Sequence, residues 1–252
     1  MPLKIRIDDW VKELAGKYNL TDAIVEDEIE HTISSVLSNR FKFEVEAQLN
    51  GNSGSLSIYG FKTRKGDMES AIINPENIKR PLIREILYTL ANALEIRRLL
   101  NEYSFYKKII HSSVTGEIIK KSSEGILYAA IKDIDYPASD QYVVAVCEPA
   151  SQTPKERGWY TVGQKMPFYV LSVKPQLLKG TPRLEIRLSR NSAGLPESLI
   201  RQELVRHNMD IKICCTGRIA GAFSEIKASA KIPRECIKKV SDELKERVIV
   251  RW

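Results

Sequence analysis

The sequence predicts an α+β chain of three modules. These are a helical N-terminal part with a β-hairpin and a long connecting helix, a five-stranded barrel of the OB type, and a closing α-β-β-α-β module. Three observations carry this. Apolar residues recur at helical spacing up to about residue 39 and then alternate with a period of two. A second helical stripe runs from about Asn77 to Tyr106. Five short β-patterned segments follow within 111–190, separated by turn residues. The expected division is 1–106, 111–190 and 191–252.

Composition sets the broad class. The chain has 252 residues, 43% hydrophobic and 28% charged, which suits packed domains and not a disordered tail. No uncharged apolar run approaches the roughly 20 residues a spanning helix needs. The start, Met1-Pro-Leu-Lys-Ile-Arg-Ile-Asp8, lacks an apolar stretch followed by a cleavage site. The expectation is a cytoplasmic protein with no membrane partner. The net charge is +7, unevenly spread: residues 1–60 carry −4, and 61–110, 111–190 and 191–252 carry +4, +3 and +4. A basic excess in the later segments points to a polyanionic partner.

Cys147, Cys214, Cys215 and Cys236 form no C-x-x-C pair, and adjacent cysteines on a strand point to opposite faces. Free thiols are expected, with no metal and no disulfide. No G-x-S-x-G, P-loop or H-E-x-x-H is present, and His31, His111 and His207 are isolated from one another. Acid pairs such as Asp8-Asp9 and Asp133/Asp135 do not by themselves make a converging set. The chain is therefore expected not to be an enzyme, and to use no cofactor and no small-molecule substrate.

Taken in order, 8–18 reads as a short helix. A second helix spans about Thr21–Asn39, with Val25, Ile29, Ile33 and Val36 on one stripe and Thr21 as N-cap. Asp22, Glu26, Asp27 and Glu28 suit its positive end. Phe41, Phe43, Val45, Ala47 and Leu49 then alternate with polar residues as a half-buried strand. Gly51–Gly54 turns into a return strand with Leu56 and Ile58. In the helix from about Asn77 to Tyr106, Pro81 suits the first turn. Ile83, Leu87, Leu90 and Leu94, widened by Leu82, Ile86, Leu99 and Leu100, predict burial along most of its length.

The barrel strands are expected at Ser113–Ile119, Ile126–Asp133, Tyr142–Cys147, Pro167–Val173 and Leu184–Ser189. The closing module is expected as a helix Leu195–His207, strands Asp210–Ala220 and Glu225–Ala230, a helix opened by Pro233, and a strand at Val248–Val250.

This ordered set resembles the bacterial transcription elongation factor NusA. The run Tyr160–Val173 is similar to the family's fourth barrel strand and its lead-in. Ile186-Arg-Leu-Ser189-Arg190, followed by Gly194-Leu195, resembles the junction of barrel and first KH domain. Arg218-Ile-Ala-Gly221 resembles the family's link between two KH strands, and Asp242–Trp252 its end of that domain.

The resemblance implies an N-terminal domain (1–106) that docks on RNA polymerase, an S1-type barrel (111–190) and a KH-like domain (191–252) facing nascent single-stranded RNA. The implied activity is control of pausing, termination or antitermination. The chain also departs from the family. KH domains clamp the phosphate backbone with a G-x-x-G loop, yet Ile232-Pro233-Arg234-Glu235 stands at that position without either glycine. The resemblance is thus to a shortened, divergent relative with one degenerate KH module.

Barrels of this type carry nucleic acid across strands 2 and 3, between the loops joining strands 1–2 and 4–5. The expected RNA-binding residues are Lys120 and Lys121 in the first loop, Lys174, Lys179 and Arg183 in the second, and Tyr128 and Tyr142 between them as stacking rings. A weaker set lies in the KH-like part: Arg218, Arg234, Lys238 and Lys239. Trp159 and Trp252 are read as packing residues. The rival readings are a protein-interaction adaptor on RNA polymerase with little RNA binding, and a translation-associated RNA-binding protein.

Overall fold

The computed structural model describes residues 7–50, 55–64, 67–131, 143–178 and 180–252. They form an α+β chain of two compact units, Met1–Asn101 and Glu102–Trp252. The division falls inside the long helix, and the second unit contains two hydrophobic cores. Among the described residues, no helix is long and apolar enough to cross a membrane.

In the first unit, helices α1 (Ile7–Tyr18) and α2 (Asp22–Phe41) precede an antiparallel sheet of β1 (Glu44–Asn50), β2 (Ser55–Arg64) and β3 (Asp67–Ile72). The α2 stripe Val25, Ile29, Ile33 and Val36 is buried as expected. A second stripe on α2 closes the open edge of the sheet. Glu30, Ser34 and Ser38 are spaced at i, i+4 and i+8, and they accept from the alternate β1 amides of Leu49 (2.6 Å), Ala47 (2.9 Å) and Val45 (2.8 Å). Helical and strand periods match here, so one helix satisfies every second edge amide.

Three expectations for the first two helices and the sheet need correction. Phe41 ends α2 instead of opening a strand: Lys42 turns left-handed (φ 59°) and β1 starts at Glu44, leaving Phe41 exposed and stacked on Phe43 at 5.5 Å. Thr21 occupies the N-cap position but its hydroxyl makes no capping bond; its carbonyl accepts from the Ile24 and Val25 amides. The hairpin is extended to three strands by β3.

Helix α3 (Arg80–Tyr106) starts later than expected, because the Asn74 side chain first caps a 3-10 turn, Pro75–Asn77. Only Ile86, Leu90, Leu94 and Leu99 on it are buried aliphatics, while Leu87, Ile96 and Leu100 stay exposed. The buried stripe is therefore narrower than its apolar content suggests.

The second unit opens with β4 (Ser113–Lys121), β5 (Leu127–Ile131), β6 (Val143–Cys147), β7 (Lys165–Leu178) and β8 (Thr181–Ser189). They close in the order β4-β5-β6-β8-β7, with β7 returning to β4 and the β6–β8 pairing parallel. Alternate residues fill the interior: Ile118, Leu127, Ala129, Ala145, Cys147, Phe168, Ile186 and Leu188 are at most 1% exposed. Fully burying each large aliphatic or aromatic side chain is worth about 1.5–3 kcal/mol.

The closing module follows: α4 (Gly194–Arg206), β9 (Ile213–Ile219), β10 (Phe223–Ala228), α5 (Arg234–Leu244) and β11 (Arg247–Arg251), with β10 between antiparallel β9 and parallel β11.

Two buried ion pairs hold this unit. Arg190, directly after β8, donates to both Glu156 oxygens (3.1 and 2.7 Å) and to the Pro167 carbonyl (2.7 Å). Tyr160 adds a hydroxyl bond to Glu156 at 2.9 Å. The long β6–β7 connection is thereby tied to the barrel. In the closing module, Glu246 accepts from Arg218 Nε (3.0 Å), the Ser224 hydroxyl (2.6 Å) and the Gly221 amide (2.9 Å). Arg218 also donates to the Ser192 carbonyl at 2.5 Å, fastening the module to the segment leaving β8. Gly221 sits at φ +78°, and a Cβ there would meet Thr153 Cγ2 at 3.0 Å, so any larger residue would strain the turn.

These buried groups set a pH window. Burial pushes Glu156 upward, but the hydrogen bond and charge of Arg190 outweigh it and hold the carboxyl below its usual range. Burial pushes the Cys147 thiol up to about 12, and raises the Tyr160 phenol. As pH falls, the unfolded chain protonates Glu156 first, so that stabilisation is lost below the carboxylate range. As pH rises, the unfolded chain releases the Cys147 and Tyr160 protons first, so stability falls above the ordinary thiol value of about 8.5. Calorimetry of the full chain should show the second unit's Tm highest between about pH 5 and 8 and falling on both sides. A flat Tm from acid to alkaline pH would contradict these environments.

Candidate nucleic-acid interface

Lys120, Tyr128, Lys174 and Arg183 fall on the outward side of the sheet, where two β-bulges decide what faces out. On β4, Ile118 is fully buried, and a regular strand would turn Lys120 inward with it. The register shifts between Ile118 and Lys120, so Ile119 is the extra residue and Lys120 faces outward opposite Tyr128. On β7 a second shift, between Val170 and Ser172, places Ser172 outward opposite Arg187.

The result is a continuous row of register partners across all five strands: Lys120, Tyr128, Val146, Arg187 and Ser172. Inward neighbours flank each central member: Leu127 and Ala129 beside Tyr128, Ala145 and Cys147 beside Val146, Ile186 and Leu188 beside Arg187. Lys120 Nζ lies 5.8 Å from the centre of the half-buried Tyr128 ring, within the range of a cation–π contact. The row thus offers an aromatic face, an aliphatic patch and two cations, Lys120 at one end and Arg187 next to the terminal Ser172.

Other charges temper it. Lys121 is exposed and donates to the Arg157 carbonyl at 3.1 Å, which brings Arg157 alongside. Arg187 is held by Glu185 at 3.2 Å and lies 3.7 Å from Glu148. Two carboxylates therefore offset part of the positive potential, and the aromatic and aliphatic members must supply part of any affinity.

Lys174 and Arg183 do not lie in a loop. β7 and β8 run on past the barrel as a paired arm, where Lys174 opposes Glu185 and Arg183 opposes Gln176. The strand continues through Pro175 because β4 pairs only with Lys165–Tyr169, so beyond it β7 is an edge where a missing amide costs little. Both cations share the outward parity of Arg187, so the arm extends the same surface. Tyr142, Lys179 and the Asp133/Asp135 pair lie outside the described residues.

The KH-like set divides. The Arg218 side chain is 2% exposed and saturated by Glu246 and Ser192, so it is a structural residue and not a phosphate contact. Lys239 pairs with Glu203 at 2.9 Å. Arg234 and Lys238 are exposed on α5. In place of an open glycine turn, Ile232 is buried in the module's core and Pro233 is the N-cap of the helix.

Trp159 and Trp252 are 63% and 70% exposed, which corrects their reading as packing residues. Lys245 Nζ lies 5.3 Å from the centre of the Trp159 ring. Sequence reasoning missed Val146 and Arg187 as surface partners. The alternation of Leu184, Ile186 and Leu188 with Glu185 and Arg187 already marked Arg187 as outward. Its place beside Val146 required the parallel closure. No family model matches the chain, and no curated protein is recognisably similar to it.

Proposed function

We propose that the chain is a NusA-like factor that binds single-stranded RNA across the outward side of its barrel and, through residues 1–106, docks on RNA polymerase to modulate elongation, pausing, termination or antitermination. The observation that carries the RNA part is the row Lys120, Tyr128, Val146, Arg187 and Ser172. Basic groups with an interposed ring are what a sequence-tolerant single-strand groove uses: the cations hold phosphates and the ring stacks on a base. Strand closure in the order first-second-third-fifth-fourth supports the OB reading of the barrel, and the α-β-β-α-β order supports the KH-like reading of the end. The polymerase part rests on the resemblance of the ordered modules. Linking two weak contacts raises the local RNA concentration, so neither need be strong alone.

The burial of Arg218 and the pairing of Lys239 take two of the four expected cations away from RNA in the closing module, which is compatible with the adaptor reading. The test is fluorescence anisotropy with a labelled oligo(U). Tyr128→Ala should weaken binding by about 1–3 kcal/mol if the ring stacks on a base, while Arg234→Ala should change it little. Equal affinity of Tyr128→Ala and the parent chain would remove the barrel from the RNA path and leave the adaptor reading.

A further inference from the structure

On another side of the second unit, α4 and the start of β4 border an open groove of ≈ 850 Å³. Its walls are aliphatic, from Ile109, Val114, Pro167, Leu199 and Val205, with Phe105 among them. Val205 is 67% exposed, a large apolar side chain held out at the groove's edge. The helix supplies one wall because Ser198, Arg201/Gln202 and Val205 recur at i, i+3/i+4 and i+7.

The floor is rigid. The Ser198 hydroxyl accepts from the Ser113 amide at 2.8 Å, and Gln202 donates to the Ser113 carbonyl at 3.1 Å, which locks helix to strand. Among the described residues that line the groove, the charged ones are Arg201 and Arg206. Their side chains are 59% and 64% exposed, each in a single-helix ion pair whose carboxylate lies outside the groove. The Arg201–Glu197 pair is of the surface kind, worth under about 1 kcal/mol and open to exchange for an incoming carboxylate; Arg206 meets a Glu203 carboxylate whose side chain is only 10% exposed and which Lys239 also holds.

We propose that this groove is a docking site for an acidic amphipathic segment of a partner protein, apolar side chains seated between α4 and β4 and carboxylates meeting Arg201 and Arg206. Aliphatic walls match branched and aromatic side chains, as in helix-in-groove recognition. The site is separate from the Lys120–Arg187 row and does not depend on it.

The probe is a labelled 16-residue helical peptide with Leu at i, i+3, i+4 and i+7 and Asp or Glu elsewhere, titrated with the full chain. Saturable binding is expected. It should weaken at least tenfold for Val205→Asp and for the double variant Arg201→Ala, Arg206→Ala, and stay within twofold for Lys120→Ala. All the altered side chains are exposed, and far-UV circular dichroism verifies folding. A Lys-for-Glu version of the peptide should not bind. The proposal is overturned by no saturable binding, by unchanged affinity in the groove variants, by displacement with oligo(U), or by sedimentation showing that the same variants abolish self-association, which would make a second copy the occupant.

Discussion

Arg190→Leu is expected to destabilise the second unit by about 3–5 kcal/mol, the range for leaving one member of a buried ion pair alone. The Arg190 side chain is 2% exposed and that of Glu156 10%. Without the guanidinium, Glu156 retains the Tyr160 hydroxyl but no compensating charge, and the Pro167 carbonyl loses its side-chain donor. The β6–β7 connection then keeps its backbone bonds from Arg190 and Asn191 to the Ser151 carbonyl but loses its buried charge anchor. Urea unfolding of the full chain, followed by circular dichroism, measures the loss. The double variant Arg190→Leu, Glu156→Leu should recover much of it, because an apolar pair of matched volume removes the uncompensated charge. A loss below about 1 kcal/mol for the single variant would place the pair in the class of surface salt bridges.

Glu246→Ala should have an effect of the same order, about 3–5 kcal/mol, for a related reason. The Glu246 side chain is fully buried, and it balances the buried Arg218 while accepting from the Ser224 hydroxyl and the Gly221 amide. Alanine leaves a charge and two neutral donors without their acceptor in one place. In a unit of this size each kcal/mol moves Tm by roughly 2–4 °C, so a fall of roughly 6–20 °C is expected by calorimetry. Arg251→Ala provides the contrast. Its pair with Glu225 is 75% exposed on the arginine side, and removing it should cost less than about 1 kcal/mol. Similar losses for the two variants would contradict the central position of Glu246.

Much of the fold was legible because periodicity reports burial directly. The alternation in 184–189 and the stripe from Val25 to Val36 each named their buried faces, and the first helix and last strand were placed to within a residue or two. What was not legible depends on register or on distant partners. Asp67–Ile72 carries no alternation, since β3 is recruited by pairing with β2 and not by its own pattern. Bulges at Ile119 and Leu171 reverse the facing of Lys120 and Ser172, and nothing local announces them. Arg218 reads as a surface cation until Glu246, 28 residues later, is folded against it. Exposed Trp159 and Trp252 escaped because a tryptophan's prior is burial, and only the packed structure shows them left outside.

The central claim is that the barrel's outward row holds RNA by a few phosphate contacts and one stacked ring. The most direct measurement is oligo(U) affinity across a salt series for the parent chain and for the triple variant Lys120→Ala, Tyr128→Ala, Arg187→Ala. With about four phosphates engaged, log K should fall with log salt at a slope near −3, and the triple variant should have both lower affinity and a shallower slope. Salt-independent binding, or a triple variant that matches the parent in affinity and slope, would contradict it.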